Sequence, residues 1–225
     1  MTFSIAARCP KTGMLGVAAA SSSIAVASRC CHARAGVGAV MSQNVTNPAL
    51  GALALDLMEA GLRGDALLVA LAREEPHLAW RQLVLVPAEG DIATYSGERA
   101  LGLYAAAQGR DCAAAGNILN SESIPGRMVS AFENSSGHLV DRLLLAMQAA
   151  VDAGGETGPI HAAGLKLVDA LSWPVADLRV DWTDGAPIEE LSRLWWRYRP
   201  QMQDYVTRAQ APDSAPAFAV PGVEE

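Results

Sequence analysis

Long apolar runs, basic clusters and metal-ligand spacings are all missing from this 225-residue chain. No apolar stretch nears the roughly 18–20 residues that a membrane-spanning helix needs, so no membrane partner is expected. Residues 25–33 come closest and are interrupted by Ser, Arg and His. Lys and Arg number 17 against 24 Asp and Glu, and the net charge of -7 without a basic run argues against nucleic acid as a partner. The four histidines lack metal spacing, and the four cysteines (Cys9, Cys30, Cys31 and Cys112) contain no Cys-x-x-Cys pair. Neither a metal site nor a disulfide framework is therefore predicted. Phosphate-loop and nucleophile-elbow signatures are absent, and Gly36-Val37-Gly38 lacks the third glycine of a dinucleotide fingerprint. No cofactor is implied. The first residues carry no positively charged stretch of an export signal, which together with the cysteine usage predicts a cytoplasmic protein.

A hydrophobic fraction of 51% with 18% charged residues is that of an ordinary globular domain. The expectation is one domain over residues 1–208 and a flexible tail over 209–225, where three prolines fall after Ala211. Phe3, Ile5 and Ala7 alternate with Ser4, Ala6 and Arg8, the pattern of a half-buried strand beginning at the second residue. A turn at Pro10 and Gly13 leads to a second apolar run, 14–20, and so to a hairpin. Residues 21–32 read as irregular or strand, and 35–42 as a buried strand rich in small residues. Asn47 is an N-cap with Pro48 at the first helical position, and Gly61 stops that helix. Gly64 and Asp65 open another helix, which Pro76 ends.

Residues 83–86 and 92–95 form a second hairpin, and 116–119 is a short strand candidate. Helices are predicted over 124–133 and 139–153, strands over 162–168 and 177–182, and a helix over 188–208 that Pro200 kinks or splits. Strands and helices thus alternate in blocks, which predicts an α+β class with two sheets between helix layers. Trp195, Trp196 and Tyr198 on the last helix read as an interface or core stripe, and a homodimer or larger homo-oligomer is expected.

Thr2 is the first candidate for chemistry. A threonine hydroxyl needs a base within hydrogen-bond reach. If Met1 is removed, the α-amine of Thr2 supplies one, with an ordinary pKa of about 7.7–8.0. The alternative is that Thr2 simply starts the strand. Arg34 is a candidate cation beside the nucleophile, or else a surface charge. The segment 42–47, with Gln43, Asn44 and Asn47 at a strand end and helix start, offers oxyanion donors or plain turn and cap chemistry. His161, just before a strand, is a candidate site residue or a structural histidine.

The segments TFSIAARCPKTGMLGVAAAS, ARAGVGAVMSQNVTNPALG, GNIL, HLVDRLLLAM and DLRVDW resemble domain-of-unknown-function family 1028, assigned to the N-terminal-nucleophile (Ntn) hydrolase superfamily. The resemblance covers residues 1–194 and is most specific in the first fifty. It implies a four-layer αββα sandwich and amide-bond hydrolysis by an N-terminal Thr, Ser or Cys, here Thr2. The motif positions that carry over are Arg34, Gln43, Asn47, Gly116 and Asn117. The chain departs from the family at 156–162, where His161 stands for a Gln and Ala162 for a Ser. The resulting expectation is an amidohydrolase acting on a small amide or peptide-like substrate. The rival is a non-catalytic ligand-binding or assembly module that keeps Met1.

Overall fold

The computed structural model describes residues 1–216. Strands β1 (Thr2–Arg8) and β2 (Leu15–Ser21) form the opening hairpin, with Phe3 opposite Ala20. A short helix α1 (Val26–Cys30), β3 (Cys31–Arg34) and β4 (Gly38–Asn44) follow. Then come α2 (Ala49–Glu59), α3 (Gly64–Glu74), β5 (Arg81–Pro87) and β6 (Ala93–Ser96). The second half carries β7 (Ala105–Gln108), β8 (Cys112–Asn117), α4 (Ile124–Glu133) and α5 (Leu139–Asp152). It closes with β9 (Ala162–Val168), β10 (Ala176–Val180), α6 (Pro187–Tyr198) and α7 (Met202–Gln210).

The strands make two antiparallel sheets. One has six strands in the order β10-β9-β2-β1-β8-β7, the other four in the order β3-β4-β5-β6. β1 is thus internal, paired on both sides. Its alternation predicts one buried face, yet both are covered. Phe3, Ile5 and Ala7 pack in a cluster with α4, α5 and α6. Ala6 joins Leu15, Val17 and Ala19 in a second cluster against Ala39, Met41, Val84 and Val86 of the other sheet. A third cluster joins Val40, Leu83 and Leu85 to Leu50, Ala54 and Met58 of α2 and to Leu67 and Leu71 of α3. Burying Phe3 and Ile5 alone stabilises β1 by roughly 1.5–3 kcal/mol each. The N-terminal strand is therefore fixed from two faces and two edges.

Most element bounds follow the sequence, and the departures have physical reasons. Gly36 adopts φ +69° and the Val37 N–H bonds the Arg34 carbonyl, so 35–37 make a turn and β4 begins at Gly38. The stretch read as irregular or strand holds α1, which lies on β9, and then runs into β3. β7 had no sequence signal, being three alanines and a glutamine. The helix start lies one residue later than read: Pro48, at φ -62°, is the N-cap and α2 begins at Ala49, whose N–H bonds Asn47 Oδ1 at 3.1 Å. A 3-10 turn over Arg199–Gln201 containing Pro200 divides the last helix. Trp195 is core, whereas Trp196 is 60% exposed, which separates the supposed stripe. No helix among the described residues is long and apolar enough to cross a membrane. Of the expected tail, Gln210 belongs to α7 and Pro212–Ser214 form a 3-10 turn, while 217–225 lie outside the described residues.

Gly164 in β9 marks where α1 meets the sheet. A Cβ there would clash with Ala27 Cβ and lie 3.1 Å from the Leu178 carbonyl oxygen. Gly164→Ala should lower stability by about 1–3 kcal/mol through overpacking. The check is thermal unfolding, with a fall of about 2–4 °C in Tm per kcal/mol for a chain this long. An unchanged Tm would contradict the close approach.

Candidate functional site

Alternation sends Thr2, Ser4 and Ala6 of β1 into the space between the sheets. Leu15, Val17, Ala19 and Ser21 of β2 face the same way, as do Ala113, Ala115 and Asn117 of β8. Each strand is apolar along this face and becomes polar at the Thr2 end. Thr2 pairs with Asn117 across one edge, and Ser21 pairs with Ala162 of β9 across another. The Thr2 and Ser21 hydroxyl oxygens lie 3.3 Å apart, and both are hydrogen-bonded to the carbonyl oxygen of Met1. Thr2 is 6% exposed.

Below them the two sheets are tied by buried amides. Ser4 Oγ donates to Gln43 Oε1 at 2.5 Å, and Gln43 Nε2 donates to Gln82 Oε1 at 2.9 Å. Asn117 Nδ2 donates to the same Gln82 oxygen at 3.1 Å. Gln82 Nε2 in turn donates to the Gly116 carbonyl at 2.9 Å and to Ser96 Oγ at 3.0 Å. Stranding a buried polar group costs about 1–3 kcal/mol, so this network specifies one register between the sheets. One acceptor is left over: Asn117 Oδ1 has no partner among the described residues.

Glu156 closes the site from the loop before β9. It forms an isolated bridge with Leu119, and Asn120 Nδ2 holds the Gly154 and Glu156 carbonyl oxygens, each at 2.7 Å. Its Oε2 accepts the Ser22 N–H at 3.2 Å, whereas Oε1 is buried without a partner among the described residues. Burial pushes the Glu156 carboxyl up to about 7, with the Met1 ammonium and the Ser22 N–H pulling it back. Ile118, next to Asn117, sits at φ +51°, a left-handed conformation rare for a β-branched residue. Its carbonyl is held by the Thr157 N–H and hydroxyl at 3.1 and 2.9 Å. Backbone strain of this kind clusters at functional sites.

The structure thus brings together Thr2, Gln43 and Asn117 among the residues expected from sequence. Arg34 is not with them. It donates to Asp56 at 2.7 Å and Glu59 at 2.6 Å, and it pairs with Gly38 at the other end of β4 from Gln43. Five residue steps along the strand separate the two positions, about 17 Å. The expectation of a cation beside Thr2 therefore fails for Arg34, whose charge two carboxylates already satisfy.

Asn44 donates to the Trp80 carbonyl at 2.6 Å and accepts the Leu101 N–H at 3.1 Å, while its own backbone is at φ +75°. Asn47 donates to Glu75 at 2.6 Å and accepts the Ala49 N–H at 3.1 Å. Burial raises the Glu75 carboxyl, but Asn47, the His77 N–H and Arg81 outweigh it and leave the group below its usual range. The amides of 43–47 are therefore committed to structural bonds. His161 borders the site through its main chain, its N–H donating to the Ser21 carbonyl at 2.9 Å. Its ring turns away, stacked on Trp182 at 4.2 Å with Nδ1 2.8 Å from the Thr183 carbonyl oxygen.

Sequence reasoning missed Ser4, Ser21, Gln82 and Glu156. The first three carry a signal, a polar residue inside or ending an otherwise apolar strand. Glu156 sits in a loop and carries none. All four cysteines are buried and unpaired, with burial pushing Cys112 up to about 12 and Cys30 also up. Among the described residues no cluster of three or more His, Cys, Asp or Glu is placed to hold a metal.

The chain matches the model of the Family of unknown function (DUF1028) over residues 2–191 and belongs to that family. A crystal structure of a Silicibacter pomeroyi protein of the same family model is 27% identical, with a TM-score of 0.81 over 88% of each chain. Anbu (ancestral beta-subunit) from Yersinia bercovieri is 11% identical over 99% of this chain and 100% of that one, with a TM-score of 0.40, too low to carry weight. No curated protein matches the chain.

A carboxyl raised in the folded state favours folding while protonated. Its contribution is complete below the ordinary carboxylate pKa and is lost as pH rises through about 7. Between about pH 4 and pH 8 the wild type should lose up to about 3 kcal/mol relative to Glu156→Gln. Urea unfolding across that range measures it, and parallel stability curves would contradict the assignment.

Proposed function

We propose that this family member is an amidohydrolase with an N-terminal threonine nucleophile, built on a four-layer αββα sandwich of the Ntn type. Three buried clusters, set helices to sheet, sheet to sheet and sheet to helices, support the architecture. The observation that carries the activity is the position of Thr2. It begins an internal strand, faces the polar end of the space between the sheets, and holds a carbonyl oxygen jointly with Ser21.

In the proposed reaction Met1 has been removed, and the Thr2 α-amine takes the proton as Oγ attacks the amide carbon. The carbonyl oxygen gains the negative charge and is met by the Ser21 hydroxyl, in the role of an oxyanion donor. The carbon–nitrogen bond then breaks, and the α-ammonium returns its proton to the departing amine. Water, deprotonated by the same amine, attacks the ester carbon, the bond to Oγ breaks as the α-ammonium returns its proton to Oγ, and the acid is released. Gln43 and Asn117 act through Gln82 by fixing the frame around Thr2. A second reading, a binding or assembly module that keeps Met1, is favoured by one observation: Met1 occupies both hydroxyls with its own carbonyl.

Intact mass distinguishes the two at the outset, and Thr2→Ala tests the mechanism. Screened on a panel of small amides and peptides, Thr2→Ala should lose at least about 10⁴-fold in kcat, and Thr2→Ser should retain part. The fold should survive, since losing this hydroxyl and methyl costs no more than about 1–2 kcal/mol. Full turnover by Thr2→Ala, or by protein that keeps Met1, would remove the mechanism.

A further inference from the structure

Met1 lies where the acyl half of a substrate would lie. An acyl group on the Thr2 nitrogen and one on its Oγ interconvert through a five-membered ring, so the two occupy nearly the same space. The surroundings of Met1 therefore describe the surroundings of an acyl group bound for hydrolysis. Its carbonyl oxygen meets the Thr2 and Ser21 hydroxyls. Its side chain lies along Gly158, where an added Cβ would come within 3.1 Å of Met1 Cε. The loop that carries Gly158 also carries Glu156, which is held to the Ser22 N–H beside Ser21 and whose Oε1 is buried with no partner among the described residues.

Resting on the hydrolase reading above, we propose that the substrate carries an unblocked α-aminoacyl group. Its ammonium is received by Glu156 and its side chain by the space beside Gly158. The class is an amino-acid amide or the first residue of a short peptide. A blocked amine would offer Glu156 Oε1 no charged donor and leave that buried oxygen without a hydrogen-bond partner, which costs free energy. An unsubstituted Gly158 leaves room for an unbranched apolar chain such as that of methionine. Glu156 is thereby a specificity-determining residue, and its Ser22 N–H bond aims the free oxygen.

The test uses chains released from an N-terminal fusion so that they begin at position 2 and Met1 is absent. Methioninamide and N-acetylmethioninamide are titrated calorimetrically into the Thr2→Ala protein, which keeps Glu156 and cannot turn over. The free-amine probe should bind about thirtyfold or more tightly than the acetylated one, and Glu156→Gln in the same background should erase that preference. Equal binding of the two probes, or no binding of either, would overturn the proposal. So would Glu156→Gln weakening both probes alike, the signature of a purely structural carboxyl. Selective binding without turnover by the Thr2 protein would instead count against the hydrolase reading and leave this inference standing.

Discussion

An apolar layer between two sheets tolerates polar groups only where each finds a partner, and this constraint governs the Thr2 end of the molecule. Along most of their length the facing strands present Ala, Val, Leu and Met. At one end they present Ser4, Gln43, Gln82 and Asn117, all essentially without exposure. Each amide has a limited set of donors and acceptors, so satisfying them fixes β1 and β8 against β4 and β5. A one-residue slip of any strand would point its polar group into a helix-packed face. Position 2 inherits its placement from that register.

What the network leaves unsatisfied is as informative as what it satisfies. Asn117 Oδ1 and Glu156 Oε1 are both acceptors, both buried, and both close to the start of β1. Both leave hydrogen-bonding capacity unused on elements that adjoin Thr2 and Ser22. The left-handed Ile118 and the bridged loop 154–157 hold them there at the cost of local backbone strain. Asn44, Asn47 and Glu75, by contrast, are paired and leave no such deficit.

Much of the fold was legible because long periodic segments and strong punctuation agree locally. The opening hairpin, α2 through α5 and the break at Pro200 all follow from such signals. β7 was not legible, since Ala-Ala-Ala-Gln has no periodicity that separates strand from helix. The double burial of β1 was not legible either, because Ser4 and Ala6 read as a polar face until another sheet covers them. At the site, Thr2 and Asn117 could be named, but Arg34 was decided by Asp56 and Glu59 more than twenty residues away. Gln82 and Glu156 gain their meaning only from tertiary neighbours.

The central claim is that Thr2, freed at its amine and held at the polar end of the layer between the sheets, is a nucleophile. A β-lactone probe tests it directly, since opening of the lactone by a hydroxyl adds the whole probe to the protein. Native protein should gain one equivalent by intact mass, with peptide mapping placing it on an N-terminal Thr2, and urea-unfolded protein should gain none. Absence of labelling, labelling at another residue, or a labelled chain that still begins with Met1 would contradict the account.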